Sequence, residues 1–249
     1  MSSALEWEGC LNVRDLGGHP TEDGAVTRHR VVVRADALRQ LSDAGWAALV
    51  DYGVTRIVDL RFNDEREADP PRELPVEVVH LPLLGHAWDP DYWDYLNHHL
   101  DNAEDAASYL KFSYVDFLDR FGANFADTLR AIAAAPGTVL VHCMGGKDRT
   151  GLVVALLLRL AGVSRDRIDE DYAISEVNLA PEDEEWVRSA PDELEQLRRS
   201  RLVQSPAGVM RHVLTQLEER HGTVPEYLLG AGLTATELMA LRDRLREPA

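Results

Sequence analysis

Residues 138–160 constrain the fold more than any other part of the chain. They read TVLVH, then CMGGKDRTG, then LVVALLLRL: an apolar run, a polar loop with two adjacent glycines, and a second apolar run. Thr138–His142 has the length and branching of a buried strand, and 150–160 that of a helix closed by Gly162. A buried strand feeding a helix through a tight loop belongs in a sheet covered by helices. The remaining chain repeats that alternation. Residues 30–34 (RVVVR), 56–60 (RIVDL) and 76–83 (VEVVHLPL) read as further strands. Ser42 can cap a helix that runs to Tyr52, with Gly53 placed to end it. The fold class expected is therefore α/β, a central, mostly parallel sheet covered by helices.

A mostly helical stretch of about 86–135 separates the third strand from the fourth, and Gly122 should break it. Ser164 caps a further helix through about Val177, and the acidic segment 181–197 reads as a solvated helical pair. Residues 234–245 have amphipathic spacing and should pack on the core. No repeat or flexible hinge divides residues 1–249, so one domain is expected. The stretches of about 86–121 and 181–205 are the candidates for a helical insertion or lid.

The 249 residues carry 43 acids against 26 bases, a formal net charge of −17. That balance argues against nucleic-acid binding, which needs a basic face. An anionic ligand must instead meet a local concentration of positive charge, and the segment His142 to Gly151 supplies one. A tight loop at a helix N-terminus points backbone N–H groups at one spot, where the helix dipole also favours an anion. Gly145 and Gly146 keep side chains out of that cradle. Arg149 adds a planar fork that matches two phosphate oxygens. The same field favours Cys143 as a thiolate, the competent nucleophile. His142 should orient the loop rather than act as a base, and Thr150 can donate its hydroxyl to the sulfur. The phosphate cradle expected is Met144, Gly145, Gly146, Lys147, Asp148 and Arg149.

The run His142-Cys143-Met144-Gly145-Gly146-Lys147-Asp148-Arg149-Thr150-Gly151 resembles the signature loop of the cysteine phosphatases. Lys147-Asp148 makes it similar to the bacterial atypical tyrosine/dual-specificity phosphatases with lipid-phosphatase-like features. Residues 12–18 (NVRDLGG), 58–61 (VDLR) and Asp171-Tyr172 with Ser175 resemble further motifs of that family, and the likeness spans nearly the whole chain. The resemblance implies a cysteine-phosphatase-like fold and hydrolysis of phosphate monoesters through a cysteinyl-phosphate, with no metal and no organic cofactor. It also implies a phosphorylated protein or phospholipid as substrate.

Such a reaction needs a proton donor for the leaving oxygen and a base for water. Asp148 is the first candidate, which the resemblance supports, and Asp89 or Asp91 the alternative. Lys147 is expected to face the substrate beside Arg149. Asp15 can brace the loop from the N-terminal motif, with Arg14 bordering the pocket, while Asp59 and Arg61 read as bracing at a strand end. Cys10 reads as a semi-buried residue, a protective disulfide with Cys143 being the alternative. Two other functions compete: sulfur transfer of the rhodanese type, and a catalytically silent phosphate-binding module. The helix-opening Arg149-Thr150-Gly151 argues against the first, and the presence of both Cys143 and Arg149 against the second. Two cysteines, no visible signal peptide and no apolar run long enough to span a bilayer point to the cytoplasm.

Overall fold

The computed structural model describes residues 2–70, 72, 75–86 and 89–247. Among these the strands are β1 (Ser3–Ala4), β2 (Arg14–Asp15), β3 (Val26–Thr27), β4 (Val32–Ala35), β5 (Val54–Asp59), β6 (Glu77–His80), β7 (Thr138–His142) and β8 (Arg246–Glu247). The helices are α1 (Asp43–Asp51), α2 (Asn63–Ala68), α3 (Pro90–Asn102), α4 (Ala106–Arg120), α5 (Gly122–Ala133) and α6 (Asp148–Leu160). They continue with α7 (Arg165–Arg188), α8 (Glu193–Leu202), α9 (Val209–His221), α10 (Val224–Gly230) and α11 (Ala235–Leu245).

Six strands form one sheet in the order β1-β2-β4-β7-β5-β6. The last four are mutually parallel, and β1 and β2 add an antiparallel edge. Strand alternation divides the core into two layers. Val32, Val58, Val139 and Val141 face the larger layer, which α4, α5, α6, α9 and α10 fill. Val33, Ile57 and Leu140 face a smaller one closed by Trp46 and Leu49 of α1 and by Trp7. The centre of the sheet is therefore apolar on both faces, as a parallel sheet requires. Ala35 and Asp59 pair with His142 from either side, so three parallel strands end together where the loop after β7 begins.

Punctuation follows the sequence closely. The Ser42 hydroxyl accepts from Gly45 N and caps α1, Gly53 takes φ +91° after it, and Gly122 opens α5. Residues 30–34 shift slightly, to Val32–Ala35. The strand expected over 76–83 is confined to Glu77–His80, because Pro82 has no N–H to continue the ladder. The helix expected to end near Val177 instead runs unbroken through Pro181 to Arg188. The lost bond would have used the carbonyl of Val177, which is solvent-exposed and can be hydrated instead. Of the expected helical pair, only the second part becomes a separate helix, α8.

Candidate active site

Cys143 follows the buried end of β7, and α6 begins five residues later at Asp148, so residues 143–149 form a closed loop between strand and helix. Gly146 sits at φ +64°, and a Cβ there would lie 2.2 Å from the Ala35 carbonyl oxygen. No other residue fits so close to β4. Gly145 faces Leu179 of α7, where a Cβ would come within 3.3 Å. The first-turn N–H groups of α6 open toward this loop.

Arg149 is gripped by a residue the sequence did not single out. Its Nη1 and Nη2 donate to Glu65 Oε2 and Oε1 at 2.5 and 2.8 Å, and its guanidinium stacks over Phe62 at 4.9 Å. Burial alone would lower this guanidinium, but Glu65 and the charge of Cys143 outweigh it and hold the group above its ordinary value. Glu65 is in turn kept below the usual carboxylate range, with burial opposing and Arg149 prevailing. A guanidinium has five N–H donors, so three remain after Glu65 is served.

The loop's carbonyls are braced from below. Asn12 Nδ2 donates to Gly145 O at 2.9 Å, and Arg34 Nη2 to Gly146 O at 2.6 Å. The Met144 carbonyl accepts from Ala37 N at 2.6 Å. Arg34 and Arg14 both bind Asp171 of α7, at 2.5 and 2.9 Å, and both also reach the Ser175 hydroxyl. Burial would raise the Asp171 carboxyl, yet the two arginines hold it well below the usual range. Asp15 does not take the bracing role expected of it. Its carboxylate accepts from Gly17 N, Arg30 N and the Tyr52 hydroxyl, and Arg14 is committed to Asp171 and Asn12.

His142 is buried, with Nδ1 3.1 Å from the Cys143 carbonyl oxygen. A carbonyl only accepts, so Nδ1 carries the proton. Nε2 lies 3.7 Å from Asp59 Oδ1, and burial pushes the imidazole's proton affinity down. Arg61 in turn binds both oxygens of Asp59 and also Asp69. These residues brace the loop. The Thr150 hydroxyl is buried without a partner among the described residues. It makes no bond to the sulfur in this conformation.

Lys147 departs from expectation. Its side chain is buried, and its ammonium donates to the carbonyls of Leu202 and, at 2.9 Å, Gln204, with Asp148 Oδ1 at 3.3 Å. It ties the loop to the C-terminal end of α8, where carbonyls lack helical partners. Asp148, by contrast, is partly exposed at the mouth and accepts from the Tyr114 hydroxyl, which also meets the Tyr172 hydroxyl at 2.9 Å. Asp183 of α7 lies in the same neighbourhood. Burial pushes its carboxyl up to about 6, Lys147 opposing and Asp148 reinforcing. Asp89 is the N-cap of α3 and accepts from Asp91 N and Tyr92 N at 3.2 and 3.4 Å. Asp91 is exposed in that first turn, and among the described residues no hydrogen bond joins either acid to the loop. Trp88, which begins a stretch, 88–95, whose sequence suits either lining the pocket or packing helices, lies outside the described residues.

Cys10 is buried and its thiol donates to Asp36 Oδ1 at 2.8 Å. Burial and then Asp36 push that thiol strongly up, so it stays protonated. It is a hydrogen-bond donor in the N-terminal brace, and both cysteines are free.

Alpha8 is fastened on its other side to α3: Arg198 binds Asp101 bidentately at 2.7 Å, and Arg201 donates to the Leu100 carbonyl at 2.5 Å. No helix among the described residues is long and apolar enough to cross a membrane.

Residues 5–247 match the model of a tyrosine phosphatase family. The chain is 30% identical to the triple specificity protein phosphatase PtpB of Mycobacterium tuberculosis, covering 96% of this chain and 98% of that one. It is 31% identical to a tyrosine-protein phosphatase of Nostoc commune over 86% and 73% of the two chains. The crystal structure of Pseudomonas aeruginosa TpbA aligns over 81% of this chain and 96% of that one, with 18% identity and a TM-score of 0.39. A loop joining Cys143 to Arg149 across a strand–helix junction, in a chain matched by one family model over nearly its whole length, places it in the tyrosine phosphatase family of hydrolases.

Proposed function

We propose that the chain hydrolyses phosphate monoesters, phosphotyrosine foremost, through a cysteinyl-phosphate on Cys143. The observation that carries this reading is the shared loop: Cys143 directly after β7 and Arg149 in the first turn of α6 stand at the two ends of one closed strand–helix turn. In the first step the thiolate attacks phosphorus, the S–P bond forms and the P–O bond breaks. Asp148 gives its proton to the leaving oxygen. In the second step Asp148 takes a proton from water, which attacks phosphorus and returns the thiolate. Arg149 and the loop N–H groups hold the equatorial oxygens throughout. The buried Thr150 hydroxyl is free to donate to the sulfur as it leaves.

Two features favour a substrate with one phosphoryl group. Lys147 is committed to carbonyls of 202 and 204, and the mouth carries Asp148 and Asp183. A head group with several phosphates would meet those acids. The distal half of α7 with α8 acts as a cover held by Lys147 and Asp101, and residues 1–249 work as one domain around it.

The test is phosphate release, without added metal, from a phosphotyrosine peptide, a phosphoserine peptide and phosphatidylinositol 3-phosphate. Turnover should be highest on the first and vanish in Cys143→Ser, which keeps the cradle and hence phosphate affinity. Arg149→Lys should lose most activity, since one prong of the fork is gone. Wild-type rates in Cys143→Ser would remove Cys143 from the nucleophile role. Phosphate binding without turnover on all three substrates would favour the binding module, and sulfur transfer to cyanide the rhodanese reading.

A further inference from the structure

A second cleft lies behind the loop, on the sheet face away from Cys143. Side chains alternate along β7, so Val141 enters the larger core layer and His142 the opposite side. There a cavity of about 240 Å³ opens beside β5 and β6, with apolar walls from Leu38, Leu41, Trp46, Ile57 and Val78. A cavity of about 150 Å³ already holds a benzene ring, so this one takes a ring with a substituent at each end. Its two ends differ in polarity. Inside, His142 and Asp59 line it and both are buried. Nδ1 of His142 donates to the Cys143 carbonyl, which leaves Nε2 an acceptor. Nε2 makes no hydrogen bond among the described residues and faces another acceptor, Asp59 Oδ1, at 3.7 Å. Arg61 is shared there by two carboxylates, Asp59 and Asp69, so an anion is repelled from this end. At the rim the sign reverses. Arg39 is exposed and has no ion pair among the described residues. Arg72 pairs with Asp43 at the surface, where such a pair is held weakly.

We infer that this cleft is a binding site for a small phenolic acid: the ring lies against Trp46, Ile57 and Val78, the hydroxyl donates to His142 Nε2, and the carboxylate meets Arg39 and Arg72 at the rim. A hydroxyl supplies the donor that the inner end calls for. An ammonium would supply it too, but only after losing its water between apolar walls, which costs far more. The carboxylate stays in water and takes charge-assisted hydrogen bonds from the guanidiniums. The cleft and the phosphate cradle lie on opposite sides of β7, so the two ligands bind together rather than in competition. The one hydrogen bond from His142 to the Cys143 carbonyl joins the sites.

The test is binding, not turnover, so it stands whether or not Cys143 proves to be the nucleophile. The probe is 4-hydroxyphenylacetate, titrated by calorimetry into the whole chain with inorganic phosphate saturating the cradle. A Kd of about 1 mM or below is expected for a ligand of this size. Phenylacetate, which lacks the hydroxyl, should bind about fivefold more weakly or worse. Tyramine, which puts an ammonium where the carboxylate was, should lose about tenfold or more, as should 4-hydroxyphenylacetate on Arg39→Glu. Val78→Phe fills the cavity and should abolish binding. If Val78→Phe lacks a cooperative thermal transition, the exposed Arg39→Glu decides alone. The inference is overturned by no heat of binding up to about 10 mM, or by binding that phosphate displaces, which would place the acid in the cradle. Equal affinity for phenylacetate or tyramine, or an affinity that Arg39→Glu leaves unchanged, overturns it as well.

Discussion

Both prongs of Arg149 are answered by one carboxylate, that of Glu65, which simultaneously accepts the backbone N–H of Phe62 at 2.7 Å. Glu65 is thus fixed at the start of α2 before it fixes the arginine. The fork cannot swing when substrate is absent, so its remaining donors are aimed in advance. Glu65→Gln keeps the shape and loses the charge and one acceptor. We expect kcat/KM on a phosphotyrosine peptide to fall by about 10- to 100-fold while the chain stays folded. Wild-type kinetics would show that Arg149 needs no such hold.

Asp148 and Asp89 should separate cleanly. Asp148→Asn removes the proposed proton donor at the mouth and should lower kcat by roughly 10²- to 10⁴-fold. Asp89→Asn alters a helix cap and should leave kcat within about twofold, with a stability change under about 1 kcal/mol. Steady-state kinetics and thermal melting of the two variants check this. A large kcat loss in Asp89→Asn alone would move the general acid to α3.

Gly146→Ala places a methyl against the Ala35 carbonyl in a backbone conformation that side chains avoid. The loop must shift to accept it. The expected outcome is loss of turnover by about 100-fold or more, with destabilisation of about 2 kcal/mol or more. Gly24→Ala, also at positive φ but with open space around it, is the comparison and should cost far less. Equal effects at both positions would mean that φ, not the contact with β4, is the constraint.

His19 makes stability depend on pH. Burial, opposed by Asp171, pushes its imidazole down to about 4, below the ordinary 6.5. The folded state therefore binds fewer protons than the unfolded one. The stability this provides is fully present above about pH 6.5 and is lost as pH falls toward 4. His19→Gln should shrink the drop in Tm measured between about pH 7.5 and pH 4.5. An unchanged drop would assign the acid sensitivity to other groups, His142 first among them.

The loop was legible in the sequence because its residues are contiguous: strand, cysteine, glycines, arginine and helix follow one another within residues 138–160. The sheet was legible for a similar reason, since apolar runs and capping residues are local signals. What serves the loop from elsewhere was not. Glu65 sits 84 residues from Arg149, in an acidic turn that reads as surface. Asn12 and Arg34 bind loop carbonyls 133 and 112 residues away, and Tyr114 looks like one more core aromatic of an amphipathic helix. Lys147 misled because it sits inside the loop between Gly146 and Arg149, whereas its acceptors belong to the end of α8. Residue type was readable in each case, but not the partner.

The sharing of Asp171 between Arg14 and Arg34 has a consequence for synthesis. The aspartate lies 157 and 137 residues downstream of the two arginines, so the ribosome releases both guanidiniums long before their counter-charge exists. Through most of translation, burying them would strand two unpaired cations, and the N-terminal third cannot close against the sheet. Ribosome-stalled chains ending before residue 171 should remain open to protease even though every strand of the main sheet has already been synthesised.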